Sequence, residues 1–157
     1  MQTLFETAAR VDEFTSLNVN DIYFNELRII IRSEKGSKRR EVPIEENLGR
    51  LLSTHLKDRK SGPIFRTRRN ERYTNRRIQQ VVKEIASIAQ IYSLDVTPHT
   101  LRHTRATFLA EDGMAKDYLQ VFLGHEQPDT TQIYTNTAAI DMDGAFRKIT
   151  NEKTPHK

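Results

Sequence analysis

The chain has 157 residues, with 25 Lys plus Arg against 21 Asp plus Glu, a net charge of +4, and no cysteine. That length suits one domain with its own core, and the missing thiols exclude disulfide staples, Cys-ligated zinc and cysteine nucleophiles together. The 36% hydrophobic content falls in periodic blocks, which excludes wholesale disorder, and no apolar run approaches the roughly 18 residues of a membrane span.

In chain order, residues 4–9 and 11–17 read as helical segments, and Asn18, Asn20 and Asp21 form the turn after them. Ile22-Tyr23-Phe24 and then residues 27–32 are β-rich runs joined at Asn25-Glu26, which predicts two strands. Residues 39–43 supply a third, stopped by Pro43. The three make a small antiparallel meander whose last turn carries Lys35 and Gly36.

The rest of the chain reads as helices. Leu48, Leu51, Leu52 and Leu56 recur at helical spacing before Ser61-Gly62-Pro63 ends that segment. Ile78, Val81, Val82, Ile85, Ile88 and Ala89 make a second stripe, with Thr74 and Asn75 as caps. Thr97-Pro98 opens a third helix running to about Asp112, closed by Gly113, and residues 115–122 form a fourth, ended by Gly124. Asp129 or Thr130 caps a short helix bearing Tyr134, residues 141–149 form a last one, and 151–157 are a frayed tail. The expected fold class is α+β, mainly α with a small antiparallel β-sheet. No repeat or Gly/Ser linker divides it.

The charge of +4 conceals a polarised chain. Residues 28–77 hold 16 Lys or Arg and 6 Asp or Glu, a net of +10, which leaves −6 for the remainder. Basic residues gathered in one part of a domain suggest a polyanion partner, although a solvated charged face would read the same way.

The densest chemistry lies in Thr97-Pro98-His99-Thr100-Leu101-Arg102-His103-Thr104. On a helix, His99 shares a face with both Arg102 and His103. Two His at this spacing could hold a metal, but the Glu that follows the first His in metalloproteases is Thr100 here. The competing chemistry aims an imidazole and a planar guanidinium at one phosphate. Further on, Leu123-Gly124-His125 presents an imidazole just past a helix end, and Thr130-Thr131-Gln132-Ile133-Tyr134-Thr135 carries a tyrosine in an amphipathic segment. Each of these words alone is compatible with ordinary packing.

Taken in order, His99, Arg102, His125 and Tyr134, with those words around them, resemble the tyrosine recombinases, or phage integrase family. Upstream, Thr7-Ala8-Ala9-Arg10-Val11-Asp12-Glu13 resembles the family's first arginine motif. Lys35-Gly36-Ser37-Lys38-Arg39-Arg40-Glu41-Val42-Pro43 resembles its β-hairpin motif. The resemblance implies the catalytic-domain fold of that family over residues 1–150. It implies cleavage and rejoining of double-stranded DNA through a 3′-phosphotyrosyl intermediate, with neither metal nor other cofactor.

Six catalytic positions follow from it: Arg10, Lys35, His99, Arg102, His125 and the nucleophile Tyr134. Lys38, Arg39, Arg40, Arg68, Arg69, Arg72, Arg76 and Arg77, with Arg66 beside them, become contacts to the DNA backbone. The same resemblance implies a tetramer on paired sites and a cytoplasmic, nucleoid-associated protein without membrane attachment. Ala8 and Glu34 stand where the family has glycine, and the family's N-terminal core-binding domain is expected to be missing. A DNA-binding remnant without turnover, and a metal-dependent hydrolase on His99 and His103, are the alternative functions.

Overall fold

The computed structural model describes residues 1–33, 39–92, 95–124 and Phe146. The chain packs as two compact units, Met1–Arg105 and Ala106–Lys157.

The first unit opens with α1 (Gln2–Glu6) and α2 (Val11–Ser16). The pattern predicts helix as far as residue 9, but α1 stops three residues earlier because Ala8 takes φ +47, a left-handed conformation that ends a right-handed helix. Thr7 Oγ1 closes the turn by donating to the Thr3 carbonyl at 2.7 Å. The chain then re-enters helix at Arg10, which is extended at φ −66, ψ 157. Its backbone N–H donates to Glu13 Oε2 at 2.8 Å, so the acid three residues on caps α2.

The meander forms as the β-rich runs predict. Strands β1 (Ile22–Tyr23), β2 (Arg28–Arg32) and β3 (Arg39–Pro43) lie in that order, both pairs antiparallel. β2 begins at residue 28 rather than 27 because Leu27 takes φ +53 in the turn. The register sets Ile29 opposite Val42 and Ile31 opposite Arg40, which gives one face of the sheet to the core. Ile29, Ile31 and Val42 are fully buried there, and each such side chain contributes about 1.5–3 kcal/mol.

Helix α3 (Glu46–Leu56) buries Leu48, Leu52 and Leu56, whereas Leu51, counted in the same stripe, is exposed. Gly49 on this helix lies against Leu27, where a Cβ would stand 3.0 Å from the leucine Cδ2. The strip after α3 is laid along the end of α2. Ile64 N–H donates to the Leu17 carbonyl at 3.0 Å, and the Phe65 ring stacks on Phe14 at 4.7 Å. Arg59 ties this strip down by donating to the Pro63 and Ile64 carbonyls, both at 2.7 Å.

Helix α4 (Asn75–Ile88) starts where Thr74 Oγ1 accepts the Arg77 N–H at 3.2 Å. It buries Ile78, Val82 and Ala86, while Ile85 and Ile88 of the predicted stripe face outward. Helix α5 (Pro98–Glu111) begins as its sequence asks, with Thr97 Oγ1 accepting the Thr100 N–H at 3.1 Å and Pro98 in the first turn. In the second unit, Gly113 at φ +91 and Gly124 at φ +66 follow α5 and α6 (Lys116–Leu123). Phe122 and Phe146 stack at 6.2 Å there, both buried. The expected helix bearing Tyr134 and the tail at 151–157 lie outside the described residues.

Candidate active site

Three arginines from three parts of the sequence meet around Glu13. The capping geometry of α2 turns its carboxylate inward, where it is 1% exposed. Arg40, from β3, grips both oxygens, Nη1 to Oε1 and Nη2 to Oε2, each at 2.8 Å. Arg10 reaches Oε1 with Nη1 at 3.3 Å while its backbone holds Oε2. Arg102, on the second turn of α5, places Nη1 4.0 Å from Oε2 and donates to the Ala8 carbonyl at 2.6 Å. The left-handed turn at Ala8 therefore has a use: it presents its carbonyl to a buried guanidinium.

The electrostatics follow from three cations sharing one acid. Burial works to raise the Glu13 pKa, but the Arg40 hydrogen bonds and charge, then the Arg10 backbone and charge, outweigh it and hold the carboxyl below its ordinary value. Arg102 is lowered to about 10, first by burial, then by the charges of Arg10 and Arg40, with Glu13 and Asp12 opposing. It remains a cation at neutral pH. These four residues sum to an excess of two positive charges, and Arg10 is exposed at the rim of the cluster. Such a corner suits a phosphate, because fixed cations already in place need no reorganisation when charge develops on non-bridging oxygens.

Residues 1–140 of the chain match the phage integrase family. The chain belongs to that family of tyrosine recombinases. The tyrosine recombinase XerA of Pyrococcus horikoshii is 32% identical over 150 residues, covering 92% of this chain and 52% of the relative. XerD of Haemophilus ducreyi is 33% identical over 161 residues, covering 95% and 52%. The crystal structure of XerA recombinase superposes with a TM-score of 0.73 at 32% identity, covering 99% of this chain and 57% of the other. XerH site-specific recombinase bound to difH substrate, in a pre-cleavage complex, superposes at 0.71 with 25% identity, covering 88% and 43%. The chain spans about half the length of the curated relatives it matches. Its architecture, helical with a three-stranded antiparallel sheet, is that of the recombinase catalytic domain.

Against this family background the predicted residues divide into groups. Arg10 and Arg102 converge on Glu13, as described. His99 is exposed on the first turn of α5, three residues before Arg102. Lys35, Lys38, His125 and Tyr134 lie outside the described residues, as does Glu34.

The expected backbone contacts do not behave alike. Arg39, Arg66, Arg68, Arg69 and Arg76 are exposed. Arg72 is also exposed, but its guanidinium fastens the end of α2, donating to the Thr15 and Leu17 carbonyls at 3.0 and 3.3 Å and to Asn18 Oδ1 at 2.6 Å. Arg77 pairs with Glu84 at 2.7 Å on the surface of α4. Arg40 turns inward, its side chain 10% exposed. Sequence reading missed its engagement with Glu13, although strand alternation carried the signal: Arg40 is two residues before Val42 and opposite Ile31, so it lies on the core face.

Proposed function

We propose that the chain is the DNA-cleaving and rejoining domain of a site-specific recombinase, acting through a 3′-phosphotyrosyl intermediate. The observation that carries this reading is the convergence of Arg10 and Arg102 on one carboxylate in a corner that retains positive charge. Arg10 and Arg102 would hold the non-bridging oxygens of the scissile phosphate. Tyr134 Oη attacks phosphorus, a P–O bond to tyrosine forms and the bond to the 5′ oxygen breaks. The phenol proton goes to His99, since tyrosine with an ordinary pKa near 10 needs a base at neutral pH. Lys35 protonates the departing 5′ oxygen, and His125 donates a hydrogen bond to the phosphate. The phosphotyrosine conserves the ester, so a DNA hydroxyl reverses or completes the exchange without an energy source.

Residues 1–150 serve this reaction as one functional domain, with 151–157 as a tail. The exposed arginines at 39, 66, 68, 69 and 76, together with Lys38, Arg72 and Arg77, follow the DNA backbone. If about six phosphates are neutralised, log K against log salt has a slope of roughly −5. Assembly as a tetramer on paired sites and location with the DNA in the cytoplasm belong to the same reading. No helix among the described residues is long and apolar enough to cross a membrane.

A duplex nicked just beyond the scissile phosphate tests the chemistry, because loss of the short leaving strand traps the covalent adduct. The expected result is an adduct that Tyr134→Phe abolishes. An adduct that survives this substitution overturns the reading. The second reading is a DNA-binding domain without turnover on its own. Salt-dependent binding with no adduct would select it.

A further inference from the structure

Among the described arginines, Arg40 is set apart by the completeness of one engagement. Its two Nη atoms meet the two oxygens of Glu13 at 2.8 Å each, a fork-to-fork pair with side chains only 10% and 1% exposed. Its neighbour Arg39 is exposed and lies opposite Arg32 across the sheet. The guanidiniums of Arg10 and Arg102 approach the same carboxylate less closely, at 3.3 and 4.0 Å, while the Arg10 backbone N–H holds Oε2 at 2.8 Å. One carboxylate surrounded by three guanidiniums has several competing arrangements, and Arg40 is the guanidinium among these three that engages both oxygens at 2.8 Å.

We propose that Arg40 is a positioning residue: its two-pronged hold fixes the Glu13 carboxylate, which in turn sets the aim of Arg10 and Arg102 toward the scissile phosphate, and Arg40 itself does not touch DNA. This rests on the recombinase reading for its use but not for its geometry. Arg40 follows Lys35 by five residues in the chain, so one short stretch of sequence carries a proposed catalytic group and the clamp on the corner of two others. A lysine cannot replace it, because a compact ammonium bridges two carboxylate oxygens without the planar match.

The test uses the full chain with Arg40→Gln, Arg40→Lys and the double variant Glu13→Gln/Arg40→Gln. Three quantities are read: the ¹⁵N Nε–H resonances of Arg10 and Arg102, the salt slope of binding to a duplex, and the rate of adduct formation on the nicked duplex. In Arg40→Gln the two resonances move or broaden and the salt slope is unchanged. The adduct rate falls about 10²-fold, the scale set by a displacement of about 1 Å in reacting groups. The acid limb of the rate moves to higher pH, since Glu13 then keeps its burial and the charges of Arg10 and Arg102 but loses its strongest partner. In the double variant the resonances stay displaced, because a neutral amide at position 13 offers one acceptor and no charge where the carboxylate held both Arg10 and Arg102.

Unmoved resonances with a salt slope reduced by about 0.9 would make Arg40 a phosphate contact and overturn the proposal. Should Arg40→Gln fail to fold, Arg40→Lys carries the same decision: resonances in place and a rate within about twofold of the original defeat the requirement for a planar fork. If the unmodified chain forms no adduct, the turnover reading fails, while the resonances and the salt slope still decide the role of Arg40.

Discussion

Glu6, at the end of α1, and Glu13, in the first turn of α2, are both sealed from water, 5% and 1% exposed, yet their proton affinities move in opposite directions. Burial dominates at Glu6 and the nearby Glu45 carboxylate adds to it. The Gln2 amide at 2.6 Å, the Glu45 N–H and the charge of Arg105 only partly offset this, so its pKa is raised. At Glu13 the same burial is reversed by Arg40 and Arg10 in direct hydrogen-bond contact. An amide satisfies a carboxylate's geometry without matching its charge. A clamped guanidinium does both, and this separates an acid built into packing from one built to organise cations.

The widest break in that contrast is Glu13→Ala. It leaves three guanidiniums without their shared acid, and unfolding in urea should show a loss of about 3–5 kcal/mol, the usual cost of removing one partner from a buried pair. Next is Ala8→Val. A β-branched residue at φ +47 in a fully buried turn is both strained and overpacked, so a loss of about 2–3 kcal/mol is expected in the same assay.

The pH dependence then separates the two acids. The folded pKa of Glu13 lies below the ordinary 4.5, so its contribution is present above pH 4.5 and is lost as pH falls through the lower folded value. Glu6 has a folded pKa above 4.5, so its contribution is complete below pH 4.5 and declines as pH rises through the raised value. Accordingly Glu6→Gln should raise Tm at pH 7 and flatten that decline, while leaving the acid limb due to Glu13 intact. Thermal unfolding from pH 3 to 8 checks both signs. Smallest is Arg77→Ala, which removes an ion pair whose side chains are 46% and 56% exposed; stability should change by about 0.5 kcal/mol or less.

Much of the frame was legible because local rules and tertiary packing agree. The Thr97-Pro98 start of α5, the glycine stop after α6 and the meander register all follow from capping and alternation. What failed were inferences from residue type alone. Ile85 and Ile88 continue the apolar period of α4, yet both are exposed while Ile78, Val82 and Ala86 are buried. Arg40 and Arg72 are as basic as their neighbours, yet one holds a buried acid and the other fastens the backbone near Leu17, because charge does not say which way a side chain points. Ala8, where the resemblance implies glycine, takes a positive φ that an L-residue occupies at a cost of about 1–2 kcal/mol. The convergence of Arg10 and Arg102 was expected from family resemblance; the carboxylate that unites them was visible only as a neighbouring acid.

The bonds of the arginine corner also span very different lengths of chain: 3 residues from Arg10 to Glu13, 27 from Arg40 to Glu13 and 94 from Arg102 to Ala8. Closing a longer loop costs more entropy, so the order expected for the corner is the local cap first, the sheet next and α5 last. On that order Glu13 has Arg40 as a partner before Arg102 joins it. A chain at that stage lacks Arg102, which in the recombinase reading is the second cation on the phosphate. In the recombinase reading, the ability to cut DNA arrives only with the completed fold.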